Sequence, residues 1–439
     1  MTDDRQTRLA DDCFVHDRDR LKHAEALLIL KERIGRIVGE ETIALAQASG
    51  RILAEEIAAP RAVPGFDNAA VDGYAFHFAD HEATGGFFPL AGRVAAGHPA
   101  EGALAPFSAA RIFTGAPMPE RADTVAMQED CERHSQDGQE FVVVPAGLRE
   151  GANRRRAGED LKAGAIIAAP GMRLRAPEVA AIASTGRAEV KVFRKVRVAL
   201  LSSGDELVRP GAALPPGGVY DANHFLLASL LASLPVEVTD LGIVSDRAPA
   251  VRNVLEEAAR NHDAILATGG ASRGEEDHLV TAWETLGKRH LWQLAIKPGR
   301  PMSFGQIGAG QIGPGQTGQN GACATLGLPG NPVAAFVCFL LYARPVLLAL
   351  GGAAWSEPLR FSVPAGFAIE KKKADRREFL RGRLVEGPDG LVAEKFPRDG
   401  SGLITGLREA SGLIEITEET TSVAPGDPVT FLPFASFGI

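Results

Sequence analysis

Between residues 196 and 352 the chain alternates between two hydrophobic periods, and nothing else in it constrains the fold as strongly. VRVALLSS (196–203) reads as a buried strand and ANHFLLASLLASL as a helix. VEVTDLGIV is a strand, APAVRNVLEEAAR a helix, DAILATGG a strand and EEDHLVTAWETLG a helix. Strand–helix–strand units close by right-handed crossovers, so a parallel sheet covered by helices on both faces is expected. Ligands bind such sheets at the carboxyl ends of the strands. That rule places SSGDE (202–206), VSD (244–246) and TGGASRGEED (268–277) along one rim.

The flanks differ. The spacing of apolar residues predicts a helix over 17–37, after a loose tail at 1–16. Residues 61–150 read as short strands with Gly/Pro turns, and 357–439 as a second β-rich unit. A chain of 439 residues exceeds one ordinary core, so about two to four domains are expected. The division is a discontinuous mixed unit at 17–60 and 151–192, an inserted β-rich domain at 61–150, an α/β domain at 193–352 and a C-terminal β domain at 353–439. The Gly/Gln-rich stretch 309–322 suggests a hairpin tip without chemistry, and Arg154-Arg155-Arg156 a solvated face.

Composition excludes several classes. Lys and Arg total 47 against 55 Asp and Glu, a net charge of −8 with no basic tract, which argues against a nucleic-acid partner. Cys13, Cys131, Cys323 and Cys338 have no metal-binding spacing and read as free thiols of a reducing cytosol. The charged N-terminus lacks the apolar stretch of a secretory signal, so a cytoplasmic protein is expected. The longest apolar run, 333–343, is ended by Arg344-Pro345, short of the roughly 20 residues of a membrane span. It reads as part of a buried helix over 332–350, with Asn331 as N-cap and Pro332 at the first position.

The rim raises a contradiction. The glycines of TGGASRGEEDH suit a backbone anion site, yet Glu275, Glu276 and Asp277 follow at once, and Asp205, Glu206 and Asp246 share the rim. Two like charges ~4 Å apart repel by ~4 kcal/mol at an effective dielectric near 20. Acids in a first helical turn gain only ~0.3–1 kcal/mol each. Either the acids point apart into solvent, or some of them are protonated, or a hard cation such as Mg²⁺ bridges them to a phosphate. Lys297-Pro298-Gly299-Arg300-Pro301 is either a basic surface turn or an oxyanion clamp. PGFDNAAVDGYAF (64–76) presents Asp72 at a turn, and RIFTGAPMPERADTV (111–125) presents Thr114, each equally readable as a plain turn. HExxH, a nucleophile elbow, Walker A and a strand-following GxGxxG are all missing from the sequence.

In order, PGFDNAAVDGYAF, RIFTGAPMPERADTV, RRRAGEDLKAG, LSSGDELV, YDANHFLLASLL, DAILATGGASRGEEDH, IKPGRPMSFG and GLPGNPVAAF resemble the molybdopterin molybdenumtransferases, the MoeA-type family that includes the gephyrin E domain. The resemblance runs from about residue 20 to the C-terminus. It implies a multidomain, elongated α/β plus β chain with a doubly wound molybdopterin-binding domain, an inserted β-rich domain and a C-terminal β-barrel-like domain. It further implies a homodimer with each active site in a cleft between subunits. The implied reaction is insertion of molybdate into adenylylated molybdopterin, dependent on Mg²⁺ and releasing AMP. An upstream molybdopterin adenylyltransferase and downstream molybdoenzymes or chaperones are implied partners, with no nucleic acid and no membrane.

Carried over motif by motif, the resemblance implies catalytic roles for Asp72, Thr114, Asp160, Glu206, Asp246 and Asp277, with Glu206, Asp246 and Asp277 handling the metal. It implies substrate contacts from Gly269, Gly270, Ser272, Lys297, Arg300, Pro301, Arg381 and Ser401, the last two at molybdate. The chain departs from the family pattern at NAAVDGYA, at Arg300 where lysine is usual, at Gln293 where some members have lysine, and at Arg273 where an aliphatic residue is typical. Two rival readings are molybdopterin adenylylation and a non-catalytic scaffold that carries the pterin.

Overall fold

The computed structural model describes residues 20–269, 278–299, 301–308, 322–387 and 390–439. Its α/β unit is built on a six-stranded sheet ordered Val236–Val244, Val196–Ser203, Ala264–Thr268, Cys323–Leu328, Pro301–Ile307, Gly287–Gln293. The first four strands are parallel, with Leu200 opposite Leu266 and Leu266 opposite Leu326. The strand period of two then divides the apolar residues between two cores. Val198, Leu200 and Leu266 face the helices Ala222–Ala232 and Pro332–Leu350. Ala199, Leu201 and Ile265 face Ala248–Asn261 and His278–Leu286.

The last two strands are antiparallel and extend the parallel part that the strand–helix alternation marks. Parallel neighbours need a crossover of about a dozen residues or more. Too few separate Gln293 from Pro301 for such a crossover. The stretch 309–321, between two antiparallel neighbours, lies outside the described residues.

The apolar helix spans Pro332–Leu350, the extent expected from the sequence, and passes Arg344-Pro345 through a π-helical stretch at Phe339–Ala343. The wider turn just before Pro345 accommodates a residue that donates no backbone hydrogen bond. At 19 residues the helix is long and apolar enough to cross a membrane, but it is 83% buried inside the protein and serves as its central core helix. Arg344 donates from Nε to the Phe437 carbonyl at 3.2 Å.

The first helix is shorter than expected, His23–Arg33. Ile34 and Ile37 keep their burial in extended backbone, so their spacing reflected core contact rather than helix. Residues on either side of the insertion pair with each other, Glu40–Ala44 with Glu189–Phe193 and Ile57–Ala58 with Ile166–Ala168, and Asn68–Ala69 at its start pairs with Arg154–Arg155 just after its end. The triple arginine is therefore not wholly a solvated face. Arg154 is largely buried, with Nε 3.6 Å from the Asp67 carboxylate. The insertion itself forms a six-stranded sheet from Gly73–Phe76 to Gln139–Val143.

The C-terminal sheet takes in a piece of the α/β region. Ile296–Lys297 pairs in parallel with Arg377 and Glu378, at the edge of the sheet formed by Arg377–Gly387, Gly412–Ile416, Pro428–Pro433 and Phe361–Pro364.

Candidate active site

The carboxyl end of the Ala264–Thr268 strand leads into Gly269, at φ +88°. A Cβ there would come within 3.0 Å of the Ser203 carbonyl on the adjacent strand, so the rim is crowded to the point of requiring glycine. A second wall is the turn after Lys297. Gly299 has φ +105°, and a Cβ on it would lie 2.5 Å from Cys338 Sγ on the core helix. Cys338 Sγ in turn donates to the Gly299 carbonyl at 3.4 Å, so the turn is pressed directly onto that helix.

The start of the core helix forms the third wall. Asn331 is the N-cap by position, yet its side chain makes no capping bond. The Val333 N–H donates to the Ser401 carbonyl at 2.9 Å instead, so a loop of the C-terminal unit occupies one orphan donor of the helix. Arg381 shapes that loop. Its guanidinium donates to the Leu403 carbonyl at 2.8 Å and the Arg398 carbonyl at 2.7 Å, and lies 4.9 Å from the Phe396 ring centroid. Burial pushes the Arg381 pKa below its usual value, but an arginine keeps its charge.

These walls enclose a cavity of about 680 Å³ between the α/β and C-terminal units. Its size is that of a small-molecule site, about 300–1,000 Å³. Gly269, Lys297, Arg381 and Ser401, all expected to contact substrate, line it together. Lys297 Nζ lies 3.5 Å from the Glu378 carboxylate, which Arg376 also holds at 2.7 Å. Pro301 opens the Pro301–Ile307 strand, its backbone opposite Gln293. Gly270, Ser272, Arg273, Asp277 and Arg300 lie outside the described residues.

Asn331, Lys395, Phe396 and Asp399 also line the cavity, and the motif reading missed them. Lys395 and Phe396 sit beside Arg381 only because Gly390–Lys395 folds back against Arg377–Gly387. The one sequence signal was the closeness of Lys395, Phe396 and Asp399 to Ser401.

The remaining predicted residues fall outside this lining. On the rim, the Asp205 carboxylate accepts from the Asp246 backbone N–H at 2.9 Å, tying two loops together. Glu206 folds back over Gly204, where a Cβ would be 2.5 Å from its Oε2. Among the described residues no three His, Cys, Asp or Glu side chains form a metal-holding group. In the inserted sheet, Asp72 accepts from both the backbone N–H and the hydroxyl of Thr114, at 2.8 and 2.7 Å. The Thr114 backbone N–H, then its hydroxyl, hold the Asp72 carboxyl below the usual carboxylate range, with Arg111 adding a smaller effect. Asp160 is exposed, and its backbone N–H donates to the Val63 carbonyl at 3.1 Å.

Fold and site define a multidomain α/β protein with a cation-lined cleft at the seam between two units. Residues 21–186 match the MoeA N-terminal region (domain I and II), 199–349 a probable molybdopterin binding domain, and 363–434 the MoeA C-terminal region (domain IV). A molybdopterin molybdenumtransferase of Haemophilus influenzae is 35% identical over 90% of this chain and 94% of its own length. One from a Nostoc species is 32% identical over 89% of this chain and 88% of its own. The crystal structure of the Pyrococcus horikoshii molybdopterin biosynthesis MoeA protein superposes with a TM-score of 0.72 at 30% identity, covering 95% of this chain and 99% of that one. The chain belongs to the MoeA family.

Proposed function

We propose that this chain is a molybdopterin molybdenumtransferase that inserts molybdate into adenylylated molybdopterin and releases AMP. The observation that carries the reading is the cavity in which Lys297, Arg381 and Ser401 share one lining with Gly269 at the strand ends. Molybdate is a tetrahedral dianion. Lysine offers it a point charge, arginine a planar fork and serine a hydroxyl donor. Holding it beside the pterin makes insertion effectively intramolecular, and cations around the developing charge lower the barrier further. Arg381 acts twice, since the guanidinium that lines the cavity also holds the Ser401 loop in place.

The rim donors are hard carboxylate oxygens, the chemistry Mg²⁺ takes. That ion commonly uses only one or two protein carboxylates and completes its shell from phosphates and water. Absence of a three-residue cluster among the described residues is compatible with that mode. Glu206 and Asp246, with Asp277, would hold the ion, which when bound supplies charge neutralisation to a pyrophosphate. Asp72, Thr114 and Asp160 lie outside the cavity lining of their own chain. A homodimer in which the inserted unit of one subunit completes the cleft of the other gives them a place. The same reading makes the protein a cytoplasmic one.

AMP release from adenylyl-molybdopterin tests the proposal. Release dependent on Mg²⁺ and molybdate is expected, and Asp277→Ala should abolish it. Adenylate formation from ATP and molybdopterin without molybdate would instead identify an adenylyltransferase, and tight pterin binding with no AMP release a carrier.

A further inference from the structure

The C-terminal wall of the cavity carries a cation that the motifs leave unassigned. Lys395 stands across the ladder from Gly382, next to Arg381, and lines the cavity. Its Nζ lies 3.0 Å from Oδ1 of Asp399, which lines the cavity too. This differs from an ordinary surface ion pair in two respects. The Lys395 side chain is only 19% exposed while that of Asp399 is 60% exposed, so the cation sits inward and the carboxylate outward. Asp399 is also held in position, because Arg381 grips the loop at Arg398 and Leu403 and the Ser401 carbonyl is fixed to Val333.

A carboxylate on the wall of an anion pocket opposes binding through repulsion and through its claim on a cation. Among the described residues the lining carries three cations, Lys297, Arg381 and Lys395, and one carboxylate, Asp399. Lys297 is itself 3.5 Å from the buried Glu378 carboxylate. We infer that Lys395 is a further oxyanion-binding residue and Asp399 its built-in competitor. An incoming tetrahedral dianion takes the Lys395 ammonium from Asp399, and Asp399 reclaims it when the anion leaves. The pair therefore sets how tightly the dianion is held. The inference rests on the oxyanion-handling role proposed above for this cavity.

Equilibrium dialysis of the full chain against molybdate, tungstate and sulfate tests it, using wild type, Lys395→Met, Asp399→Asn and the double variant. Melting temperatures serve as the folding control. Lys395→Met is expected to weaken dianion binding about tenfold, equivalent to ~1.4 kcal/mol. Asp399→Asn is expected to tighten it several-fold, and that gain should vanish in the double variant. Folded Lys395→Met that binds as wild type does, or Asp399→Asn that weakens binding, overturns the inference. The two readings fail separately. Molybdenum insertion with an unchanged molybdate KM in Lys395→Met leaves the function standing and removes Lys395. Dianion binding with the expected variant pattern but no insertion leaves Lys395 standing and removes the function.

Discussion

At the residue scale, His23 is a buried histidine that the proposed chemistry does not use. His23 is 1% exposed, its Nδ1 lies 2.7 Å from the Tyr342 hydroxyl, and its ring meets Phe379 edge-on at 5.3 Å. Burial, aided by the nearby Arg377 and Arg360 charges, lowers its pKa from 6.5 to about 3. The unfolded chain takes up a proton near pH 6.5 and the folded chain only near 3, so acid favours unfolding between those values. The stability from a neutral His23 is therefore complete above pH 6.5 and drains away as the pH falls towards 3. The loss should reach roughly 5 kcal/mol at the acid end. Urea midpoints measured from neutral pH down to about pH 4 should fall more steeply for wild type than for His23→Gln. Parallel curves would show that this imidazole is not what titrates.

At the scale of elements, the cavity depends on the contact between the Lys297 turn and the core helix. Gly299→Ala would place a methyl 2.5 Å from Cys338 Sγ and force a side-chain-bearing residue to φ +105°. Overpacking costs about 1–3 kcal/mol and the backbone strain about 1–2 more. The expected loss is about 2–5 kcal/mol in chemical denaturation, with weaker oxyanion binding because Lys297 moves. Pairing it with Cys338→Ala should recover the packing part alone, because the positive φ remains. Full recovery would mean the backbone carries no strain there. The π-helical stretch at Phe339–Ala343 belongs to this scale too, since it lets one core helix pass Pro345 and reach both units.

At the scale of the molecule, three of the four units that the sequence divides contribute to one core, while the inserted sheet keeps its own. Ala26 and Leu30 of the first helix, Leu200 and Leu266 of the α/β sheet, and Phe379, Leu432 and Phe437 of the C-terminal unit belong to a single buried cluster around the core helix. A chain ending at residue 352 would expose that apolar face and lose the Arg381 wall of the cavity. Such a truncation should be recovered as aggregate or as a dye-binding species with a broad, weakly cooperative melt. A sharp melt and a soluble monomer would show that the α/β unit is independently stable.

Local periodicity sufficed to mark the parallel strands, their helices and the rim at which they end, because strand and helix register are local properties of apolar spacing. The residues of the Lys297 turn likewise marked a candidate oxyanion clamp, whereas Arg381 and Ser401 came only from the family resemblance. Lys395 and Asp399 were not legible, because they reach the cavity through the fold-back of Gly390–Lys395 and the Arg381-held loop, which no short stretch encodes. Nor were the antiparallel edge strand Gly287–Gln293 or the joining of Ile296–Lys297 to a distant sheet. Each of these depends on which hydrogen-bond partners and which core the assembled chain offers. Chemistry resides in the side chains and can be read in sequence, whereas a pocket is a distance between segments far apart in the chain, and only packing sets it.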